Sequence, residues 1–334
     1  MITHESSLES FSDQLDFVLT NYKDHGFRSE SFDHVVLGGL GGSGIGALIA
    51  KSWFFDKADL PIEVVNNYDL PAYVNEKSLV VINSYSGNTE ESLSLFEQAK
   101  ATGASILCLT SGGQLQEKAG EENITCYSIP TGYQPRMAIG FGLSYQLLIL
   151  GDFFDLDQSA ALIDIRDDFP NQREKQIRSA EQIAKFFASS LKRKFVILAD
   201  RDYAEVAVRF GQQINENAKL EAFVNIIPEA NHNVLESYVE RLETNFIMLY
   251  SDRNPRVAAR FDFLISHLEM ENNRVLPLEI PDYDVFSIFD VIYRLDWVSV
   301  MIANELGAPL MEVPIISNLK EFLNDLEIIE EEEE

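Results

Sequence analysis

Short apolar runs rich in β-branched residues alternate with longer amphipathic stretches along the first part of the chain. The runs predict buried strands, and the stretches show the three- and four-residue apolar spacing of helices. The predicted strands are 34–37, 62–66, 78–83, 105–109 and 125–129, and the predicted helices are 45–55, 90–101, 114–119 and 138–153. Because strand and helix alternate, we expect an α/β fold with a parallel sheet covered by helices on both faces.

The same alternation starts again at Lys194, after the polar helical stretch 164–193. It predicts strands at 195–199, 222–226, 245–250 and 274–278, and helices at 203–217 and 255–269. The chain therefore divides into two similar α/β halves. We expect an N-terminal segment plus first domain at 1–155, a second domain with a C-terminal helix at 156–329, and an acidic tail at 330–334.

Charge and cysteine content narrow the range of partners and locations. The 334 residues include 54 Asp and Glu against 26 Lys and Arg, which gives a formal charge of −28. A field of this sign repels nucleic acids and anionic membranes, so we expect neither as a partner. Cys108 and Cys126 lie in apolar surroundings, which indicates reduced thiols and a cytoplasmic protein. The five His residues lack metal-ligand spacing, so we expect no metal.

A glycine-rich turn follows the first predicted strand. Residues 39–44 read GLGGSG and satisfy the G-x-G-x-x-G pattern of dinucleotide sites. A nicotinamide site also requires an acidic residue at the end of the second strand, where this chain has Asn66 and Asn67. A dinucleotide, a phosphate group and a purely structural tight turn all remain open for this turn.

The loop after the third predicted strand, residues 84–89 (SYSGNT), favours phosphate. It offers the hydroxyls of Ser84, Ser86 and Thr89. Gly87 permits a close backbone approach, and the next helix presents unpaired N–H groups to an anion. Loops at the carboxyl ends of parallel strands converge, so this loop and the glycine-rich turn can face one ligand. The alternative is a helix cap made by Ser86 or Thr89.

At these residues the chain resembles the sugar isomerase (SIS) domain family. Over about residues 30–325 it is similar to the bifunctional phosphoglucose/phosphomannose isomerases. The most specific matching segments are 41–44, 84–89, 135–138, 215–219 and 228–233. The resemblance implies two SIS-type domains. It also implies a sugar 6-phosphate substrate, held by Gly41, Gly42, Ser43, Ser84, Ser86 and Thr89.

The resemblance further implies an activity and the residues that carry it out. Glucose 6-phosphate, and mannose 6-phosphate as well, would be interconverted with fructose 6-phosphate through a cis-enediol, without metal or organic cofactor, as in glycolysis and gluconeogenesis. Glu216 would be the base and Arg136 the cation beside the enediolate. His232 would open the sugar ring, assisted by Lys320. Read without the resemblance, Glu216 is a solvated residue at a helix end and His232 an ordinary loop residue.

The sequence departs from the family pattern at two places, and several other functions remain open. Val234 stands where the family usually has an acidic residue, and residues 310–314 stand where it has an Asp-Pro element. Family members are dimers in which the His comes from the neighbouring subunit, so we expect a homodimer with a shared site. SIS domains also serve in non-catalytic sugar-phosphate sensors, in aminosugar isomerases, and in deaminating or ether-cleaving enzymes.

Overall fold

Two parallel sheets form the framework of the protein. The structure, a computed structural model, describes residues 2–238, 243–269 and 273–333, and side chains only as far as residue 323 in the last helix. The first sheet has the order β2-β1-β3-β4-β5, with strands His34–Gly38 (β1), Ile62–Val65 (β2), Ser78–Asn83 (β3), Ser105–Thr110 (β4) and Thr125–Ser128 (β5). The second has the order β7-β6-β8-β9, with strands Phe195–Ala199 (β6), Ala222–Ile226 (β7), Asn245–Tyr250 (β8) and Arg274–Glu279 (β9). The predicted α/β fold is confirmed.

Helices cover both sheets. In the first half they are His4–Glu9 (α1), Phe11–Asn21 (α2), Gly41–Phe54 (α3), Glu90–Thr102 (α4), Gly113–Glu121 (α5) and Ile139–Phe153 (α6). The second half has Ser159–Phe187 (α7), Ala204–Gln213 (α8), Pro255–Glu269 (α9), Val285–Leu306 (α10) and Pro314–Glu333 (α11). The long helix α10 was not predicted from the sequence. None of the helices in the described ranges is long and apolar enough to cross a membrane.

One apolar core joins the two halves. It includes the buried residues Leu37 of β1 and Ile197 of β6, together with residues of α6 and α10. Strands covered on both faces are apolar along their length, and β1, β3, β6 and β8 are accordingly buried at every residue. Residue 155, at the predicted domain boundary, lies in the loop between α6 and α7. The division into domains at this point remains a prediction.

Two minor expectations concern the thiols and the chain end. Cys108 is buried, Cys126 is partly buried, and both are free thiols. The backbone of α11 is helical as far as Glu333, but the side chains of the predicted acidic tail, 330–334, lie outside the described residues.

The strand order brings two loops together at one edge of each sheet. β1 pairs with β2 on one side and with β3 on the other, where Gly38 lies opposite Ile82. The loops that follow β1 and β3 are therefore neighbours. Ligands of open parallel sheets bind at this kind of crevice, where the strand order reverses. The equivalent point in the second sheet lies between β6 and β8.

Candidate active site

Ser43 links the glycine-rich turn to the serine loop, residues 84–89. Its Oγ accepts a hydrogen bond from the Tyr85 N–H at 3.1 Å, and its carbonyl accepts one from Asn83 Nδ2 at 3.0 Å. Helix α3 begins at Gly41 without a side-chain cap, so its first N–H groups are available to a ligand. The structure therefore brings the two loops to one place.

Ser84 is the buried anchor of the serine loop. Its Oγ lies 3.1 Å from Thr89 Oγ1 and accepts the Gly87 N–H at 3.2 Å. Gly87 has a φ of +69°, and a Cβ there would overlap the carbonyl oxygen of Gly112, so the turn requires glycine.

The serine loop does not cap the helix that follows it. Thr89 directly precedes α4, but its side chain bonds to no N–H of that helix. Ser86 is exposed, and its Oγ accepts the N–H of Asn88, which lies outside α4. The N-terminus of α4 therefore has no side-chain cap.

Arg136 lies on a short 3-10 turn, Pro135–Met137, that packs on the glycine-rich turn. A Cβ at Gly42 would lie 2.8 Å from the carbonyl oxygen of Pro135, so the missing side chain allows this contact. The guanidinium is 5% exposed. Burial lowers the pKa of Arg136, and the nearby charge of Glu216 opposes that shift.

Each nitrogen of this guanidinium has a partner. Arg136 Nε donates to Asn217 Oδ1 at 2.9 Å, and Nη2 donates to the Leu310 carbonyl at 2.7 Å. Nη1 donates to Glu216 Oε2 at 3.3 Å and to Gln134 Oε1 at 3.4 Å. The positive charge is therefore fixed in position and direction.

Glu216 lies on a π-helical turn, Ile214–Ala218, that continues α8. The predicted helix at 203–217 is therefore present, but it changes from α-helix to π-helix after Gln213. Turns of this kind are frequent at functional sites. The carboxylate is 30% exposed and contacts Arg136, so it is less solvated than its position in the sequence suggested.

The segment 310–312 reaches the site through its backbone. Leu310 offers its carbonyl to Arg136, and the Glu312 carbonyl accepts from Lys219 Nζ at 2.8 Å. Lys219 Nζ also donates to the Glu216 carbonyl. Backbone contacts need no particular side chain, so the departure from the family pattern at 310–314 does not prevent them.

Buried residues that the sequence analysis missed support Arg136. Asn217 accepts from Arg136 and donates through Nδ2 to Ser299 Oγ at 2.9 Å. Arg209 donates to the Arg136 carbonyl at 2.9 Å and pairs with the buried Asp296. Asn217 lies within the matching segment 215–219 and could have been noticed there. Arg209 and Asp296 belong to no recognisable motif. A single charged residue in a helix is usually exposed to solvent, so nothing in the sequence marked these two as buried.

The structure does not join the side chains of His232 and Lys320 to Arg136 or Glu216. Both are exposed, and neither side chain makes a hydrogen bond or ion pair with the part of the chain that the structure describes. A surface groove of about 420 Å³ is lined by Asn231, the residue before His232, together with Leu235, Arg256, Ala259, Arg260 and Phe263. In the same described ranges, no three His, Cys, Asp or Glu side chains are grouped so as to hold a metal ion.

Comparison with known families identifies both halves of the chain. Residues 30–131 match the SIS domain, and residues 177–323 match the bacterial phospho-glucose isomerase C-terminal SIS domain. Among solved structures, the C-terminal domain of glucosamine-fructose-6-phosphate aminotransferase from Francisella tularensis has a TM-score of 0.73 at 16% identity. The alignment covers 93% of this chain and 98% of that one. The predicted SIS-type fold is confirmed.

Two relatives align with most of the chain. The D-glucosamine-6-phosphate 4-epimerase of Sulfolobus acidocaldarius is 35% identical over 212 residues, which are 63% of this chain and 65% of that protein. The bifunctional phosphoglucose/phosphomannose isomerase of Aquifex aeolicus is 34% identical over 298 residues, which are 86% of this chain and 90% of that protein. The chain therefore belongs to the family of bifunctional phosphoglucose/phosphomannose isomerases.

Proposed function

We propose that the protein interconverts glucose 6-phosphate and mannose 6-phosphate with fructose 6-phosphate. The observation that carries this proposal is the pairing of Glu216 with Arg136, a carboxylate and a fixed cation 3.3 Å apart, in a chain of this family. Aldose-ketose exchange needs such a pair, because a proton must leave a carbon beside a carbonyl while negative charge develops on oxygen.

Glu216 is the base in this mechanism. It removes the proton from C1 of open-chain fructose 6-phosphate and returns it to C2 of the resulting cis-enediol. The negative charge of the enediolate develops beside Arg136, whose guanidinium is held by Asn217 and Leu310 and needs no reorganisation. The enediol is planar at C2, so protonation on one face gives the glucose configuration and on the other the mannose configuration.

The two loops of the first half hold the phosphate group in this proposal. Backbone N–H groups at the starts of α3 and α4 point toward an anion and carry partial positive charge. The hydroxyls of Ser43, Ser86 and Thr89 add donors, and the buried Ser84 holds the loop in place. Gly41 and Gly42 contribute backbone N–H groups. Such local donors act at contact distance, where the screened net charge of −28 matters little.

We also propose that the active protein is a homodimer in which His232 acts in the partner's site, assisted by Lys320. His232 is exposed and has no partner in the described ranges. Lys320 lies on α11 among the exposed apolar residues Ile315, Ile316, Leu319 and Phe322. An exposed apolar helix face of this kind is typical of an interaction surface.

Turnover of fructose 6-phosphate in heavy water tests the reaction and its intermediate. We expect glucose 6-phosphate and mannose 6-phosphate by NMR, with deuterium at C2 in part of the product, because the proton on Glu216 exchanges with solvent. No turnover would overturn the proposed function. Turnover without any deuterium at C2 would retain the isomerase and would leave a direct hydride shift as the competing mechanism.

Mixing two inactive variants tests the shared site. In a mixture of Glu216→Gln and His232→Ala, a heterodimer holds one site with both original residues if they come from different subunits. Random exchange then restores about a quarter of the original activity. If both residues act within one subunit, the mixture stays as inactive as its components.

The second candidate is 4-epimerisation of glucosamine 6-phosphate. It is favoured by the 35% identity to the D-glucosamine-6-phosphate 4-epimerase. It ranks lower, because that similarity covers 63% of the chain rather than 86%. Incubation with glucosamine 6-phosphate and NMR detection of its 4-epimer would distinguish the two activities. Binding of sugar phosphates without conversion of any would instead support a non-catalytic sensor.

A further inference from the structure

The N-terminal helices α1 and α2 lie outside both matched family ranges, yet they reach the candidate site. Their polar residues His4, Ser7 and Gln14 are buried. Ser7 Oγ and Gln14 Nε2 donate to the carbonyl of Met137 at 3.1 and 3.0 Å. The backbone next to Arg136 is thus held by the start of the chain.

His4 makes the contact nearest to the chemistry. Its Nε2 lies 3.1 Å from Asn217 Oδ1, the same oxygen that accepts from Arg136 Nε at 2.9 Å. Because an amide oxygen only accepts, His4 must carry a proton on Nε2. Its Nδ1 is buried and has no partner in the described structure, which suits an unprotonated nitrogen.

The ring is neutral at ordinary pH. Burial, and then the charge of Arg136, lower the pKa of His4 to about 4. A neutral donor can share the Asn217 oxygen with Arg136 without placing a second positive charge beside it. The other side of the Asn217 amide is occupied, since Nδ2 donates to Ser299 and Gln213.

We propose that His4 is a positioning residue for Arg136: by donating to Asn217 it fixes the amide oxygen that aims the guanidinium at the enediolate. This inference rests on the proposed function. Loss of the donor removes one of the four hydrogen bonds that hold the Asn217 amide. The oxygen that aims Arg136 can then shift, and a displacement of about 1 Å near reacting atoms costs on the order of a hundredfold in rate. The N-terminal segment is then part of the active site rather than an appendage.

Variants of the full chain test this role. His4→Leu removes the donor, whereas His4→Gln supplies an amide N–H that can reach Asn217. We expect His4→Leu to lower kcat for fructose 6-phosphate about ten- to a hundredfold, with KM changed about twofold at most. His4→Gln should restore most of kcat. His34→Leu is the matched control, because it removes a buried His bond, to Ser78 Oγ at 2.8 Å, without contact to Arg136.

Two inhibitors give a readout that does not need turnover. A five-carbon aldonic acid phosphate carries a carboxylate that mimics the enediolate, and a six-carbon polyol phosphate lacks it. We expect His4→Leu to weaken binding of the aldonate by the same factor as kcat and to leave the polyol phosphate unchanged. If His4→Leu does not fold, His4→Asn replaces it, since its amide is one methylene too short to reach Asn217.

The possible results separate the two proposals. Unchanged kcat and aldonate affinity in His4→Leu would overturn the positioning role, as would equal losses in His4→Leu and His4→Gln. Equal weakening of both inhibitors would indicate a merely structural residue and would also overturn it. Absence of turnover in the unmodified protein would overturn the proposed function, while the ratio of the two inhibitor affinities still tests His4.

Discussion

The two halves of the chain differ at equivalent points of their sheets, where the loops after β1 and β3 and the loops after β6 and β8 meet. In the first half, the loops after β1 and β3 meet through Ser43 and leave the helix N-termini beside them uncapped. In the second half, Asp200 follows β6 and is 5% exposed. Its carboxylate accepts the Ser251 N–H at 2.7 Å, Ser251 Oγ at 2.9 Å and the Tyr203 N–H at 3.0 Å.

In the second half, the donors at this point of the sheet are therefore bonded to the carboxylate of Asp200. Burial raises the pKa of Asp200, and its hydrogen bonds from Ser251 and Tyr203 oppose the rise. An incoming phosphate would meet a like charge there. The second half instead contributes Glu216, which lies against Arg136 of the first half. In the proposed mechanism, one copy of the fold holds the ligand, the other supplies the base, and the site forms where they meet.

Removing the base is the strongest test of this division. Glu216→Gln keeps the size of the side chain but cannot take a proton, so kcat should fall about 10³- to 10⁴-fold, or about 4–5 kcal/mol, with little change in KM. Glu312→Gln is the matched control, because Glu312 is exposed and its hydrogen bond at the site is made by its carbonyl. Steady-state kinetics on fructose 6-phosphate measures both. If Glu216→Gln keeps a tenth of the turnover, another residue is the base.

Adding a methyl group at Gly87 tests how closely the serine loop of the first half is packed. Gly87→Ala places a Cβ on the Gly112 carbonyl in a left-handed backbone, so we expect a loss of about 3 kcal/mol in the free energy of unfolding. Gly26→Ala is the control, since its φ of +80° is similar but no atom lies within 4 Å. It should lose only about 1 kcal/mol. Urea denaturation gives both values, and equal losses would show that the loop is loosely packed.

The sheets could be predicted because buried parallel strands are apolar throughout and end in turn residues. The segments 78–83 and 195–199 were located to the residue. The glycine-rich turn and the serine loop were also visible as neighbours, since each directly follows a strand and loops at the carboxyl ends of parallel strands converge. That they hold phosphate stays a prediction.

The rest of the site left no such pattern. The π-helical turn escaped notice because Val206, Phe210 and Ile214 continue the four-residue apolar spacing of α8. Leu310 contributes only a carbonyl, which any residue has. A single His near the chain start, His4, gives no periodic signal, and its burial depends on packing between distant segments. Tertiary contacts of this kind cannot be read from one sequence.

The contact between the halves should be sensitive to pH through His4, which bonds Asn217 of the second half beside Arg136 of the first. Its pKa of about 4 in the folded chain lies below its ordinary value of 6.5, so the unfolded chain binds more protons between these values. The resulting stability is complete above pH 6.5 and is lost as pH falls toward 4, by up to about 3 kcal/mol.

Urea denaturation across this pH range measures the contribution of His4. His4→Gln should flatten the curve relative to the unmodified protein. Ser7→Ala, a change on the same helix without a titrating group, should lower the curve without changing its slope. A curve for His4→Gln as steep as that of the unmodified protein would assign the pH dependence to other groups.

The finest test of the comparison uses two buried serines at equivalent points. Ser84 accepts the Gly87 N–H, and Ser251 donates to Asp200, so replacement of either by Ala should reduce stability by about 1–3 kcal/mol. Only Ser84→Ala should raise KM for fructose 6-phosphate, about tenfold or about 1.4 kcal/mol, because in the proposed function only that loop faces the phosphate. KM and denaturation measured on both variants separate binding from folding. If Ser251→Ala raises KM as much as Ser84→Ala, the second half also holds the ligand, and the division of roles between the halves is wrong.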